Sequence, residues 1–242
     1  MSIPVSIELY SLRQLTKTDF LGTLDHVAQM GYDGVEFAGF FDTDATVLKA
    51  KLDSLELIAT SSHTPIDQID EKLDEVIAYN KTIGNSNIVI PWADVSDDAN
   101  IANTVRIIRK AAPILADNGM KLFFHNHKQE FTPYQDGYIM DYLLESEPLL
   151  NLQLDICWST KAGVAPAPYL EKYAGRTDLC HFKDIKVNTL TSLGTGEVDI
   201  ASAVNMAHKL NMSAVVIEND EPQPDPLTDA KRSIDNLRKL GI

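Results

Sequence analysis

One pattern constrains this chain more than any other: a short apolar run followed by an amphipathic stretch, repeated eight times from end to end. The runs are IPVSIEL (3–9), GVEFAGF (34–40), LELIATSSH (55–63), NIVIPW (87–92), MKLFFHNH (120–127), LNLQLD (150–155), DLCHFKD (178–184) and SAVVIE (213–218). Each has the length and flanking turn residues of a buried strand. Between and after them, residues 19–30, 45–55, 66–83, 97–118, 137–147, 166–174, 199–210 and 227–240 carry helical spacing. In the first of these, Phe20, Leu24, Val27 and Met30 share one side and Gly31 ends the run. Strands joined through helices run parallel, and eight is the number that closes a parallel barrel. The expectation is a single (β/α)8 TIM barrel over residues 1–242, without linker, low-complexity segment or second domain. A doubly wound sheet would need a glycine-rich phosphate turn after the first strand, and the first loop, YSLRQLTK, has none. P-loop, HExxH and GxSxG motifs are also missing.

Composition serves mainly to exclude. With 44% hydrophobic residues the chain can fill a barrel core, and its formal net charge of −14 argues against binding nucleic acid or an anionic membrane. No apolar run reaches the roughly 18 residues of a membrane span. The start, MSIPVSIELYS, lacks the basic and apolar regions of a secretion signal. Cys157 and Cys180 make no disulfide framework and read as core residues, since strand alternation turns Cys180 away from its neighbour His181. These features lead to the expectation of a cytoplasmic globular protein with no nucleic-acid or membrane partner; homo-oligomerisation stays open.

A parallel barrel carries its chemistry at the carboxyl ends of its strands. Those ends offer Glu8, Glu36, His63, Trp92, the HNHKQE segment, Asp155, His181 with Lys183, and Glu218. Singly, each has an ordinary explanation. His63 and Glu36 can be hydrogen-bonded structural groups, Trp92 can be packing, and Lys183 can pair with Asp184 or a nearby acid. Together they point to a site. Asp155, His181 and Glu218 end three successive strands and so converge. Carboxylates with an imidazole suit manganese, magnesium or zinc, manganese fitting the mixed set best. Trp92 at the rim of a polar pocket suits a sugar ring.

These residues resemble the xylose isomerase-like barrel proteins, the superfamily of sugar isomerases, epimerases and type-II apurinic endonucleases. The resemblance runs through IELYSLR, GYDGVEFAGF, SSHTPID, FFHNHKQEF, LDICWSTKAGV, GRTDLCHFKDI, LGTGEVDI and VVIENDEPQPDPL, nearly the whole chain. It is closest to a sugar isomerase/epimerase branch with an HNHxxEF-type fifth strand. The resemblance implies a divalent metal held by a strand-five glutamate, Asp155, His181 and Glu218. The strand-five glutamate has no counterpart, because its place is taken by Phe123. Glu130 is the favoured substitute, with His125 or His127 as the alternatives. The implied activity is metal-dependent isomerisation or epimerisation of a small sugar, or sugar phosphate, or polyol, by proton transfer next to a carbonyl. Glu218, Glu130, His125 and Lys183 are the catalytic candidates. Glu36, His63, Trp92, His127 and Trp158 are the substrate-binding candidates. The rivals are a lyase acting on an oxidised sugar or inosose, an apurinic-site endonuclease, which the acidic charge disfavours, and a sugar-binding barrel with a degenerate site. The loop at 185–198, with LGTGE, reads either as a lid or as a passive connector.

Overall fold

The computed structural model describes residues 2–242. Eight parallel strands close into a barrel: β1 (Val5–Glu8), β2 (Gly34–Phe37), β3 (Ile58–His63), β4 (Asn87–Ile90), β5 (Lys121–His125), β6 (Leu150–Asp155), β7 (Leu179–Phe182) and β8 (Ala214–Ile217). Each strand pairs with its sequence neighbour, and β1 closes the ring on β8 through Val5–Val215 and Ile7–Ile217. The outer helices are α1 (Phe20–Met30), α2 (Ala45–Leu55), α3 (Leu73–Ile83), α4 (Asp98–Asp117), α5 (Ile139–Ser146), α6 (Pro166–Lys172), α7 (Ile200–Leu210) and α8 (Pro226–Arg238). The helix starts are chemically marked. Asp19, Asp44, Asp97, Asp199 and Asp225 each accept backbone N–H bonds at an N-cap. Among the described residues, no helix is long and apolar enough to cross a membrane.

Three departures from the expected pattern bear on the site. The helix expected over 66–83 is two helices, Ile66–Glu71 and α3, because Lys72 leaves helical geometry at φ −131°. A short helix, Ile156–Lys161, starts directly from the end of β6, capped by Asp155. Two small hairpins, 133–138 and 184–191, decorate the loops after β5 and β7.

Alternation along the strands divides the core in two. Leu122 and Phe124, like Ile88 and Ile90, join the large apolar layer between barrel and helices. Val89, Phe123, Leu179 and Ala214 form a separate apolar cluster inside the ring. Apart from Val216, the upper interior is mainly polar. Ser6 Oγ and Thr60 Oγ1 are 2.6 Å apart, and a Cβ on Gly34 would lie 2.7 Å from Thr60 Oγ1 and from the Ile58 carbonyl oxygen. Glycine is required there so that β1, β2 and β3 can close.

The LGTGE loop is tied down rather than free. The Asp184 carboxylate accepts from the backbone N–H groups of Ile185, Gly194, Gly196 and Val198 at 2.8–3.1 Å. Ser192, Leu193 and Asn236 add bonds between the loop and α8. Of the two readings of this segment, the geometry supports the connector. Asp184→Ala should lower stability by about 2–4 kcal/mol, since it strands several buried N–H donors that now bond to a charge. Denaturant midpoints measure this, and an unchanged midpoint would mean that the loop is held by α8 alone.

Candidate active site

The carboxyl ends of β5 to β8 bring His125, Asp155, His181 and Glu218 together, with ligand-type atoms all within 4.8 Å of one another. Their convergence follows from register: Asp155 pairs with His181, and Val216 with His181. All four are buried. Local structure aims each one. Asp155 Oδ1 accepts from the N–H groups of Cys157 and Trp158 at 2.8 Å, so its other oxygen is turned to the barrel axis. Asn126 fixes the same turn, its Oδ1 accepting from Asp155 N at 2.9 Å. His181 donates Nδ1–H to Glu218 at 2.9 Å and Nε2–H to Glu36.

Lys183 is buried among three acids. Its Nζ lies 2.8 Å from Glu218, 2.9 Å from Asp220 and 3.4 Å from Asp155. It does not pair with Asp184. Burial opposes charging both partners here, but the Lys183 ammonium and His181 hold the Glu218 carboxyl well below its usual range. Burial would also lower His181, yet Glu36 and Glu218 outweigh it and push the imidazole up to about 9. Burial raises Asp155, and Lys183 offsets this only in part.

Glu36 anchors the other half of the ring. It accepts from Ser61, Gln153 and His181, and His63 Nε2 lies 3.1 Å from its Oε1, so both of its oxygens are taken. Glu8, beside it, is different: its Oε2 is buried without a partner. Burial, then Glu36 and Glu218, raise the Glu8 carboxyl well above its usual range, with His181 opposing them. Burial, then Lys183, lowers His127 to about 4, so its imidazole is neutral.

The expected residues thus divide. His125, Asp155, His181 and Glu218 meet. Glu8, His63, Trp92, His125, His127 and Glu218 line one cavity above them. Trp158 lies to the side, its ring 6.0 Å from His127 and 5.3 Å from Lys183 Nζ. Glu130 does not reach the cluster. The 3-10 turn Gln129–Phe131 folds its carboxylate back, where it accepts from His127 N at 2.7 Å and Gln129 Nε2 at 3.1 Å. Of the two histidine alternatives, His125 is the one whose ring lies with Asp155, His181 and Glu218. Phe123 explains why: it sits two residues below His125, deep in the interior cluster, and the ligand-type group on β5 is one rung higher. Asp220, Gln153 and Asn126 were not expected. Gln153 alternates with Asp155 and so had to face inward, a signal present in LNLQLD.

The four-residue cluster fits a divalent cation. Two of its atoms, Asp155 Oδ2 and His125 Nδ1, are buried without a hydrogen-bond partner, which is costly unless something else satisfies them. Lys183 lies near Asp155 but does not make that bond. Two imidazoles and two carboxylates are a donor set for zinc or manganese rather than calcium. Glu36 on the far nitrogen of His181 is the usual second carboxylate that orients a ligating histidine. Cys157 and Cys180 are buried, and neither belongs to any candidate metal-holding group among the described residues.

Fold and site define a parallel-barrel protein of an enzyme superfamily, with a ligand-type cluster and a cavity at the carboxyl end of the barrel. The chain belongs to the xylose isomerase-like TIM barrel family, whose model matches residues 24–240. It is 24% identical over 208 residues to an inosose dehydratase of Geobacillus kaustophilus, covering 75% of this chain and 67% of that one. In fold it is similar to a sugar phosphate isomerase/epimerase from Parabacteroides distasonis, with TM-score 0.82 and 21% identity over 99% of this chain and 96% of that one. It is also similar to a D-allulose 3-epimerase from Methylomonas sp., with TM-score 0.76 and 15% identity over 99% and 98% of the two chains.

Proposed function

We propose that this barrel is a metal-dependent enzyme that moves a proton next to the carbonyl of a small sugar, as an isomerase or epimerase. One observation carries the reading: two orphaned ligand atoms, Asp155 Oδ2 and His125 Nδ1, lie under a cavity that Glu218, Glu8 and His127 face. His125, Asp155, His181 and Glu218 would hold the ion, which supplies a Lewis-acid charge beside the reacting carbonyl. Glu218, ionised and open to the cavity, takes the carbon-bound proton. His127 stands two residues past the end of β5, across the ring from β1, and its neutral imidazole can hydrogen-bond a substrate oxygen from that side, while Glu218 returns the proton it took. Glu8, whose carboxyl is pushed up by burial, can donate to a substrate oxygen. Glu130 holds the backbone of His127 and so positions it.

The similarity to inosose dehydratases, together with Glu8, favours a second reading. An ionised base next to a neutral acid is also what an elimination needs, Glu218 taking a proton from carbon while Glu8 gives one to the leaving oxygen. NMR in deuterated water separates the two. An isomerase or epimerase puts deuterium on carbon and keeps every oxygen, whereas a lyase releases water or an alcohol.

Cation binding has its own expected outcome. Manganese or zinc at about a hundredfold over Kd should stabilise the chain by about 2.7 kcal/mol, a rise in Tm of several degrees, and Asp155→Asn should abolish most of it. No stabilisation by any divalent ion would favour a sugar-binding barrel without metal chemistry.

A further inference from the structure

The cavity is larger than one sugar ring needs. Its volume is about 790 Å³, toward the upper end of the roughly 300–1,000 Å³ typical of pockets for drug-sized ligands. The surplus has a direction. The metal-type cluster occupies the β5–β8 half of the ring, while the cavity extends over β1 to β3, between residues 38–43 and residues 64–80. Phe40, Phe41 and Tyr79 wall this arm. Phe40 packs on Tyr79 with ring centroids 4.2 Å apart, and Phe41 on Phe20 at 5.1 Å. The Tyr79 hydroxyl donates to the Thr43 carbonyl at 2.7 Å and fastens the loop to α3. Phe41 and Asp42 are held at φ 50° and 54°, the left-handed region that bulky residues enter only when their surroundings enforce it.

Exposure and charge then narrow the ligand. Among the described residues, the exposed large aromatic side chains are Tyr10 (45%), Phe41 (41%) and Trp92 (52%), and all three line this cavity. Singly exposed apolar groups are ordinary, but three aromatics on one rim mark a binding surface. Besides the Glu8 carboxyl, the cavity is lined by four carboxylates, those of Asp42, Glu75, Glu218 and Asp220, against one lysine, Lys72. A phosphate would meet repulsion there.

We propose that the outer arm is a subsite for a second, uncharged ring joined to the reacting sugar, so that the substrate is a glycoside whose carbonyl is a ring ketone, rather than a free or phosphorylated monosaccharide. The inference rests on the proposed reading of the barrel mouth as a sugar site. The second ring lays an apolar face on Phe41 and on the Phe40–Tyr79 pair, and its polar edge meets Gln68 and Lys72. A pyranose and an aryl group both present such a face.

Calorimetric titration of the full chain, supplemented with manganese, tests it. The probes are methyl glycosides of glucose, galactose, mannose and xylose oxidised to the ring ketone, with the matching oxidised phenyl glycosides and disaccharides. At least one two-ring probe should bind ten times more tightly than its methyl partner. Phe41→Ala should remove about three- to tenfold of that advantage, the worth of one aromatic stack, and Phe41→Tyr should restore it, with the methyl glycoside as internal reference. A gain with disaccharides identifies the second ring as a sugar, and a gain with phenyl glycosides alone identifies it as aryl. If methyl glycosides bind as tightly as their two-ring partners, or Phe41→Ala weakens both alike, the subsite is absent while the sugar reading stands. If no probe of either size binds, the subsite and the sugar reading both fall.

Discussion

Glu218→Gln is expected to lower turnover by about 10²–10⁴, the usual worth of a positioned general base, while metal affinity falls only modestly. The amide keeps the shape of the side chain and one ligating oxygen. It cannot take a proton from carbon. The ionised state of Glu218 is enforced by Lys183 and His181, so the base is ready at neutral pH. Exchange of the carbon-bound proton of an accepted sugar, followed by NMR in deuterated water, reads the effect directly. Glu130→Gln provides the contrast. Its carboxylate caps the His127 N–H rather than joining the cluster, so its loss should not respond to added manganese. If excess manganese rescues Glu130→Gln, Glu130 reaches the ion after all. If Glu218→Gln exchanges the proton at the wild-type rate, the base lies elsewhere.

Lys183→Met should produce the largest loss of stability. The methionine fills the volume of the stem but leaves Glu218, Asp155 and Asp220 facing one another without the ammonium that now lies within 3.4 Å of all three. Removing one partner of a buried ion pair costs about 3–5 kcal/mol, because the remaining charges are stranded rather than merely unpaired. For a chain of this length that is about 10 °C in Tm. A divalent ion should recover part of the loss, since it supplies positive charge next to the same carboxylates. Calorimetry with and without manganese checks both statements. An unchanged Tm would mean that the three acids are already neutral in the folded protein and that Lys183 has no electrostatic role.

Much of this architecture was legible before any coordinates. Eight alternating apolar runs imply eight parallel strands, because a period of two and a period of 3.6 cannot share a segment and parallel strands need crossovers. Helix α2 begins and ends where its spacing placed it, at Ala45 and Leu55. The convergence of Asp155, His181 and Glu218 was legible for the same reason: strand ends in a closed parallel barrel share one rim. Boundaries were less so. Lys72 carries no helix-breaking signal in its own type, yet the chain leaves helical geometry there, where Lys72 lines the cavity.

The sequence by itself determined the barrel, the rim on which its ionisable groups gather, and an apolar Phe123 in the fifth strand. Tertiary structure alone decided which side chain near the end of β5 meets Asp155, His181 and Glu218. His125, His127 and Glu130 all stand within a few residues of the strand end, and no periodicity separates them. The choice depends on strand parity, which points His125 inward one rung above Phe123, and on a turn of three residues that spends the Glu130 carboxylate on a backbone N–H. It also decided the state of the acids. Glu8, Glu36 and Glu218 are alike in type and in position along their strands. Their neighbours differ: Glu36 receives three hydrogen bonds with the His63 ring beside it, Glu218 receives Lys183 and His181, and Glu8 has a buried oxygen with no partner. Ionisation follows local field and desolvation, and both are set by residues that are distant in sequence and adjacent only once the ring has closed.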